Sequence, residues 1–333
     1  MCEQGVSQVI EYRVMKQSSL DLNLINKKTR KREFLSEMDR VVPWAALVEL
    51  IASYYPEGKN GRPPFALETM LRVHFMQQWL TLSDPAMEEA FFDIPLYREF
   101  AKLDAHGRLP DESIILRFCQ RLEEHKLAEQ IFTTVNEQLS SKGLLLRVST
   151  AVNATLIAAP TSTKNKDKAR DPEMHSSKKG NQWYFGMKAH IGVDADSGLV
   201  HTLRNTAGHS HDINEGNSLL HGQEQLVFAD ASYQGIEKRP DAKADVICHI
   251  AMRPGKRKKL DKTHEADAML DQAEKLKAGV RAKVEHPFRV LKRQFVDVKV
   301  RYRGLKKNTR QLMTLFALSN LWMVRSKLMG ARA

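Results

Sequence analysis

The sequence predicts an α+β fold: a helical amino-terminal region followed by a mixed β-sheet domain flanked by helices. Three observations predict it. Apolar residues recur at helical spacing through residue 142, alternation takes over from Leu144, and helical spacing returns after Ala251. Pro43 opens a stretch with Leu47, Leu50 and Ile51 on one face, and 67–80 repeats that pattern. Ser83, followed by Asp84, Pro85, Glu88 and Glu89, reads as an N-cap, a first-turn proline and acids near the positive end of the helix dipole. Asp111 starts a helix bearing Ile114, Ile115, Phe118 and Leu122. Strands follow at 147–157, at 188–193 and 199–205 around the turn 194–198, at 226–229 and at 246–251. Helices are predicted over 268–277 and 282–294, and Pro287, just behind Glu285, makes the latter start or kink there. A last amphipathic helix over 309–326 closes the fold.

Composition points toward a polyanionic partner. Lys plus Arg number 52 against 40 Asp plus Glu, a formal charge of +12, and such an excess favours nucleic acid through counterion release. Basic chains are common, but here the charge is clustered, at 27–32, 164–170, 178–179, 256–259 and 306–310. Cys2, Cys119 and Cys248 are too few and too scattered for a disulfide framework or a zinc site, which suits a reducing cytoplasm. No run reaches membrane-spanning length, no secretory signal opens the chain, and no phosphate loop or dinucleotide fingerprint is present.

Three segments carry the chemistry: 150–160 (TAVNATLIAAP), 227–235 (VFADASYQG) and 281–292 (RAKVEHPFRVLK). Phosphodiester transfer by two divalent ions needs several carboxylates around ions roughly 3.5 to 4 Å apart, and hard ions such as Mg²⁺ ask for oxygen ligands. Asp230 stands where an apolar strand ends, Glu285 lies on a basic helix, and Asn153 sits within a β-branched run. In α/β sheets such strand ends converge on ligand sites. Taken alone, an Asp after a strand is more commonly a turn or capping residue.

These segments resemble bacterial insertion-sequence transposases of the DDE class, the insertion-sequence-five group among them, which share a ribonuclease H-like core. The runs 162–166 (STKNK), 170–175 (RDPEMH), 178–182 (KKGNQ), 185–194 (FGMKAHIGVD), 299–305 (KVRYRGL) and 315–322 (LFALSNLW) carry the resemblance further, over 16–328. It implies that Asp230, Glu285 and the residue at 153 hold Mg²⁺ or Mn²⁺, with Arg281 and Lys292 gripping phosphates. The family's third motif spaces Tyr, Arg, Glu and Lys as Ala278, Arg281, Glu285 and Lys292 are spaced here. The first catalytic Asp of the family is replaced by Asn153. An amide oxygen coordinates without charge, and losing roughly 4 kcal/mol of transition-state stabilisation slows a reaction about a thousandfold. The expectation is therefore a transposase impaired at its chemistry, with an inert inverted-repeat DNA-binding protein as the alternative.

The resemblance also implies an inverted-repeat-binding unit over 16–142, a catalytic domain over 143–328 and a tail over 329–333. Met15 looks like the usual start, so 1–15 is expected to be a disordered extension. Expected partners are double-stranded DNA (terminal inverted repeats and target) and further copies of the chain, in a cytoplasmic, nucleoid-associated setting without membrane or nucleotide. Lys164, Lys166, Lys178, Lys179, Lys188, Arg301 and Arg303 are candidate DNA contacts. Trp183 is a candidate base-stacking residue, although Trp183 and Tyr184 also read as ordinary strand aromatics. The helix over 112–125 presents Arg117, Gln120 and Arg121 as a DNA reader would, yet amphipathic helices more often form a plain bundle. His209, His211 and Asp212 lack the third ligand of a metal site, and Asp194 and Asp196 read first as turn residues.

Overall fold

A computed structural model describes residues 29–58, 62–104, 107–166, 168–243 and 245–330. The expected extension over 1–15, the start at Met15 and part of the basic run 27–32 lie outside the described residues. Helices occupy the first region: α1 (Arg30–Val41), α2 (Trp44–Ala52), α3 (Leu67–Leu80), α4 (Asp84–Asp93), α5 (Pro95–Phe100), α6 (Glu112–Glu124) and α7 (Leu127–Ser141). The predicted starts are present: Ser83 Oγ accepts from the Ala86 N–H (3.3 Å) with Pro85 in the first turn, and Asp111 Oδ1 accepts from the Ile114 N–H (2.8 Å). Helix α1 was not anticipated, because its charged sequence hides Phe34, Leu35, Met38 and Val41 on the buried side.

The sheet comprises β1 (Ser149–Ala158), β2 (His175–Lys179), β3 (Gln182–Asp194), β4 (Val200–Ala207), β5 (Leu226–Ala229) and β6 (Ile247–Ile250). β3 is antiparallel to β1 along one edge, while β4 and β2 lie end to end along its other edge; β5 and β6 extend the sheet in parallel beyond β1. This mixed sheet, central strand β1 and all, is the ribonuclease H-like arrangement that the resemblance implied. β2 escaped sequence reading, since HSSKK is polar throughout and gains its ladder only from β3. Where β2, β3 and β4 meet, Gly186 is required: a Cβ there would collide with the Ile157 carbonyl oxygen of β1.

Short helices α8 (Ile213–Gly216) and α9 (Pro254–Arg257) follow β4 and β6, and α10 (Glu265–Ala282), α11 (Glu285–Arg289), α12 (Leu305–Met323) and α13 (Arg325–Gly330) complete the chain. The two helices expected over 268–277 and 282–294 are thus one long helix, then a break, then α11 running into a π-turn over Val290–Gln294. Alternation along β1 sends Ala151, Asn153, Thr155 and Ile157 to one side and Val152 to the other. On the second side Val152, Leu219, Ala229, Tyr233 and Ile236 form a small separate core.

The main apolar cluster continues from the first sheet face through α12 into α1, α3 and α7, so one core spans the change from helices to strands. Its polar centre is Asn320 of α12. The Asn320 side chain accepts from the Val200 N–H (2.9 Å) and donates to the Val200 carbonyl (2.7 Å) and to Asn136 Oδ1 of α7 (2.8 Å), while Asn136 also donates to Val200 (3.1 Å). All of these groups are buried. Asn320→Leu strands the Val200 N–H and the Asn136 carbonyl in apolar surroundings, at about 1 to 3 kcal/mol per group. Urea unfolding should show about 2 to 6 kcal/mol of lost stability; a loss within the scatter of surface substitutions would contradict this role.

Candidate catalytic site

The register of β1 on β5 decides the site. Ser149, Thr150 and Ala151 lie level with Leu226, Val227 and Phe228, so two residues further on Asn153 and Asp230 stand level where the ladder ends. Parallel strands open a crevice at their carboxyl ends. Asp230 follows Ala229, the last residue of β5, and is half-buried. Its Oδ1 caps the turn over Ala231–Tyr233, accepting from the Ser232 N–H (2.8 Å) and from the Ser232 hydroxyl. The capping reading is therefore realised, and Oδ2 remains without a hydrogen bond among the described residues.

Glu285 reaches this crevice because α10 is pinned to the end of β6. Glu274 accepts from the Met252 N–H (2.9 Å), and Lys277 donates to the Ile250 carbonyl (3.2 Å) and to Glu274 (2.8 Å). Pro287 then breaks the helix as expected: it offers no N–H to the Lys283 carbonyl, and the chain tightens through Val284 N–H to Arg281 (3.1 Å) and His286 N–H to Lys283 (3.1 Å). The break swings Glu285 over β1, where the Asn153 Nδ2 donates to Glu285 Oε1 at 2.8 Å. The Asn153 Oδ1 is turned to the Ala154 N–H (2.8 Å).

Seven residues on, the π-turn, closed by the Phe295 N–H to Val290 bond (3.0 Å), lays Lys292 on the same strand face. Lys292 Nζ donates to Thr155 Oγ1 at 2.6 Å. Burial lowers the Lys292 pKa and the Lys179 charge lowers it further, against the raising effect of Glu285. Thr155 was missed in the sequence, although its position two residues past Asn153 puts it on the same face. Arg281, half-buried in the last turn of α10, makes no side-chain hydrogen bond or ion pair among the described residues.

The remaining candidates separate into exposed cations and structural ones. Lys164, Lys166, Lys178, Lys179 and Arg303 are exposed. Trp183, opposite Lys178 near the two-residue tip of the β2–β3 hairpin, is 67% exposed, whereas Tyr184 is half-buried and donates to Gln182 (2.7 Å). Lys188 instead pairs with Asp212 (2.9 Å) and the Ser210 carbonyl (2.7 Å), on the side of β3 away from Asn153. Arg301 donates to the Gln77 (3.2 Å) and Leu82 (2.6 Å) carbonyls at the end of α3. Asp194 does not replace the charge absent at 153. It is fully buried opposite Thr150, accepting from the Leu146 (3.0 Å) and Asp196 (3.0 Å) N–H groups and the Ser197 hydroxyl (2.7 Å), about 10 Å of strand from Asn153.

The donor set tests the fit to a metal pair. Among the described residues no three His, Cys, Asp or Glu side chains come together as a metal site. Asn153 presents an N–H, not an oxygen, toward Glu285. So arranged, one amide and two carboxylates do not fit a pair of dications. No solved structure matches the chain. Residues 146–321 match the family described as Transposase DDE domain, and residues 23–121 match Transposase domain (DUF772).

Behind the π-turn the chain folds back through Val296, whose φ of 55° is unusual for a β-branched residue, to the buried Asp297, whose N–H donates to the Leu291 carbonyl (2.9 Å). Burial pushes the Asp297 carboxyl up to about 6, against the lowering effect of Arg301. The folded state therefore holds a proton that the unfolded chain has released, so this group's contribution is greatest below pH about 4 and is lost as pH rises toward about 6, to a total on the order of 2 to 3 kcal/mol. Asp297→Asn should match wild type in urea at low pH and exceed it at neutral pH; parallel pH profiles would refute the assignment.

Proposed function

The chain belongs to the DDE insertion-sequence transposases, and from that premise we propose that it binds the terminal inverted repeats of its element and carries a strand-cleaving and strand-transferring site impaired at Asn153. The family implies DNA as substrate. No helix among the described residues is long and apolar enough to cross a membrane. In this reading residues 16–142 bind the repeats, residues 143–328 carry the chemistry, and several copies act on paired ends.

The observation that carries the impairment is the 2.8 Å bond from the Asn153 amide to Glu285. In the family's reaction a divalent ion, Mg²⁺ or Mn²⁺, supplies charge at the attacked phosphate. Here the amide N–H satisfies Glu285 instead, and the pocket carries two carboxylates where the family carries three. Asp230 keeps one oxygen free of hydrogen bonds and Glu285 faces the crevice. Lys292, held by Thr155, and Arg281 remain positioned to hold backbone phosphates by charge-assisted hydrogen bonds. Exposed Lys178, Lys179 and Trp183 offer cations and a stacking ring beside them. DNA binding therefore survives better than cleavage, and the second reading, an inert inverted-repeat binder that occludes ends or poisons active assemblies, draws on the same bond.

Two measurements test this. Cleavage of a labelled repeat end in Mg²⁺ or Mn²⁺ should be about a thousandfold faster for Asn153→Asp than for the chain as it stands, and Glu285→Gln added to the revertant should abolish it. Comparable cutting by the Asn153 protein would remove the essential charge from position 153. In a thermal melt without divalent ions, Asn153→Asp replaces the exposed bond to Glu285 by carboxylate repulsion and should cost about 0.5 to 1 kcal/mol. Mg²⁺ should restore that loss, while leaving the Asn153 protein unmoved; equal stabilisation of both would refute the account.

A further inference from the structure

The loops that precede α3 and α6 enclose, with α6 itself, a cavity of about 370 Å³. Four arginines line it: Arg62, Arg108, Arg117 and Arg121. No carboxylate does among the described residues; the adjoining recess, which shares Arg62 and Arg108, contains Asp104 and Lys102. Four guanidinium groups gathered without an acid among them are held against their own repulsion, an arrangement that an anion relieves.

Two of the four are fixed in place. Arg108 donates to the Pro63 carbonyl (3.0 Å) and lies 3.8 Å over the Phe65 ring, and Arg121 donates to the Tyr54 carbonyl (2.8 Å). Tyr55 braces the same wall by donating to the Phe65 carbonyl (2.8 Å). Arg62 and Arg117 stand exposed at the mouth, without a side-chain hydrogen bond or ion pair among the described residues. Asp111 at the start of α6 feels the Arg117 charge, though its Oδ1 accepts from the Ile114 N–H (2.8 Å) and the Ser113 hydroxyl (2.7 Å). Arg117 and Arg121 lie one turn apart on α6 and turn into the cavity. A helix that reads bases projects such tips into a groove; here they line a cavity together with Arg62 and Arg108, which suits phosphate.

We propose that this arginine cavity is a DNA anchor that takes backbone phosphates, apart from the crevice of Asn153, Asp230 and Glu285. The proposal rests on the transposase reading of DNA as substrate. Preorganised guanidinium forks grip phosphate in pairs of parallel hydrogen bonds, and the contacts position a duplex without reading its sequence.

The test uses the full chain and a random-sequence DNA duplex, with affinity followed by fluorescence anisotropy over a range of salt. Arg62→Gln combined with Arg117→Gln should reduce the slope of log affinity against log salt by about 1.8 and weaken binding roughly 10- to 30-fold at physiological salt. Arg62→Lys with Arg117→Lys, which keeps the charge, should stay near the wild-type slope and covers the case in which the glutamine pair misfolds. Calorimetry with inorganic pyrophosphate separates a free anion from DNA: pyrophosphate binding lost in the glutamine pair while the DNA slope is unchanged overturns the DNA assignment. A wild-type chain that binds no duplex fails the transposase reading itself. A wild type that binds, with a glutamine pair of equal slope, fails the cavity alone.

Discussion

The buried amide clamp of Asn320 and Asn136 on Val200 is the interaction on which the rest of the structure depends. β4 presents both the N–H and the carbonyl of Val200 to the interior, and three separate parts of the chain meet there: a helix of the first region, a strand of the sheet and the last long helix. Hydrogen bonds buried among apolar side chains are costly to leave unmade, so the three parts are held in one register. Arg301 repeats the device at the surface by closing the carbonyls at the end of α3, and Arg325 joins Glu37 (2.8 Å) while stacking 3.6 Å from the Trp322 ring. Through these ties the helical region is a neighbour of fixed orientation to the sheet.

In the proposed reading, the crevice differs from the family's by one charged atom group on an unchanged frame. Replacing a carboxylate oxygen by an NH₂ group turns repulsion between two acids into a hydrogen bond. The strand register, the Pro287 break and the π-turn that presents Lys292 all persist, since none depends on the charge at 153. What changes is the electrostatic demand: three carboxylates call for cations, whereas Asn153 and Glu285 satisfy each other.

The helices marked by an apolar repeat (α3) or by a side-chain cap (α4 and α6) were legible because their signals are local, and so were β5 and the β3–β4 turn. α1 and β2 were not, because a charged helix and a polar edge strand owe their order to the partners that cover them. Within the crevice, Asp230 and Glu285 are the residues that motif spacing singled out, and the position of Thr155 was recoverable from strand period. Lys188 and Arg301, expected as DNA contacts, pair with Asp212 and with the end of α3, partners that residue type and spacing do not reveal.

The sequence by itself determined the succession of helices and strands, the basic character, the motif residues and the substitution at 153, since all of these are properties of residue type and spacing. Only the tertiary structure decided which of them meet. The parallel register of β1 on β5 levels Asn153 with Asp230, and the helix break folds Glu285 back across 132 residues of chain. The gathering of arginines from two loops and α6 around one cavity is likewise a matter of packing. Contacts between residues far apart in the chain are set by the sum of many burials and pairings, and no local pattern encodes that sum.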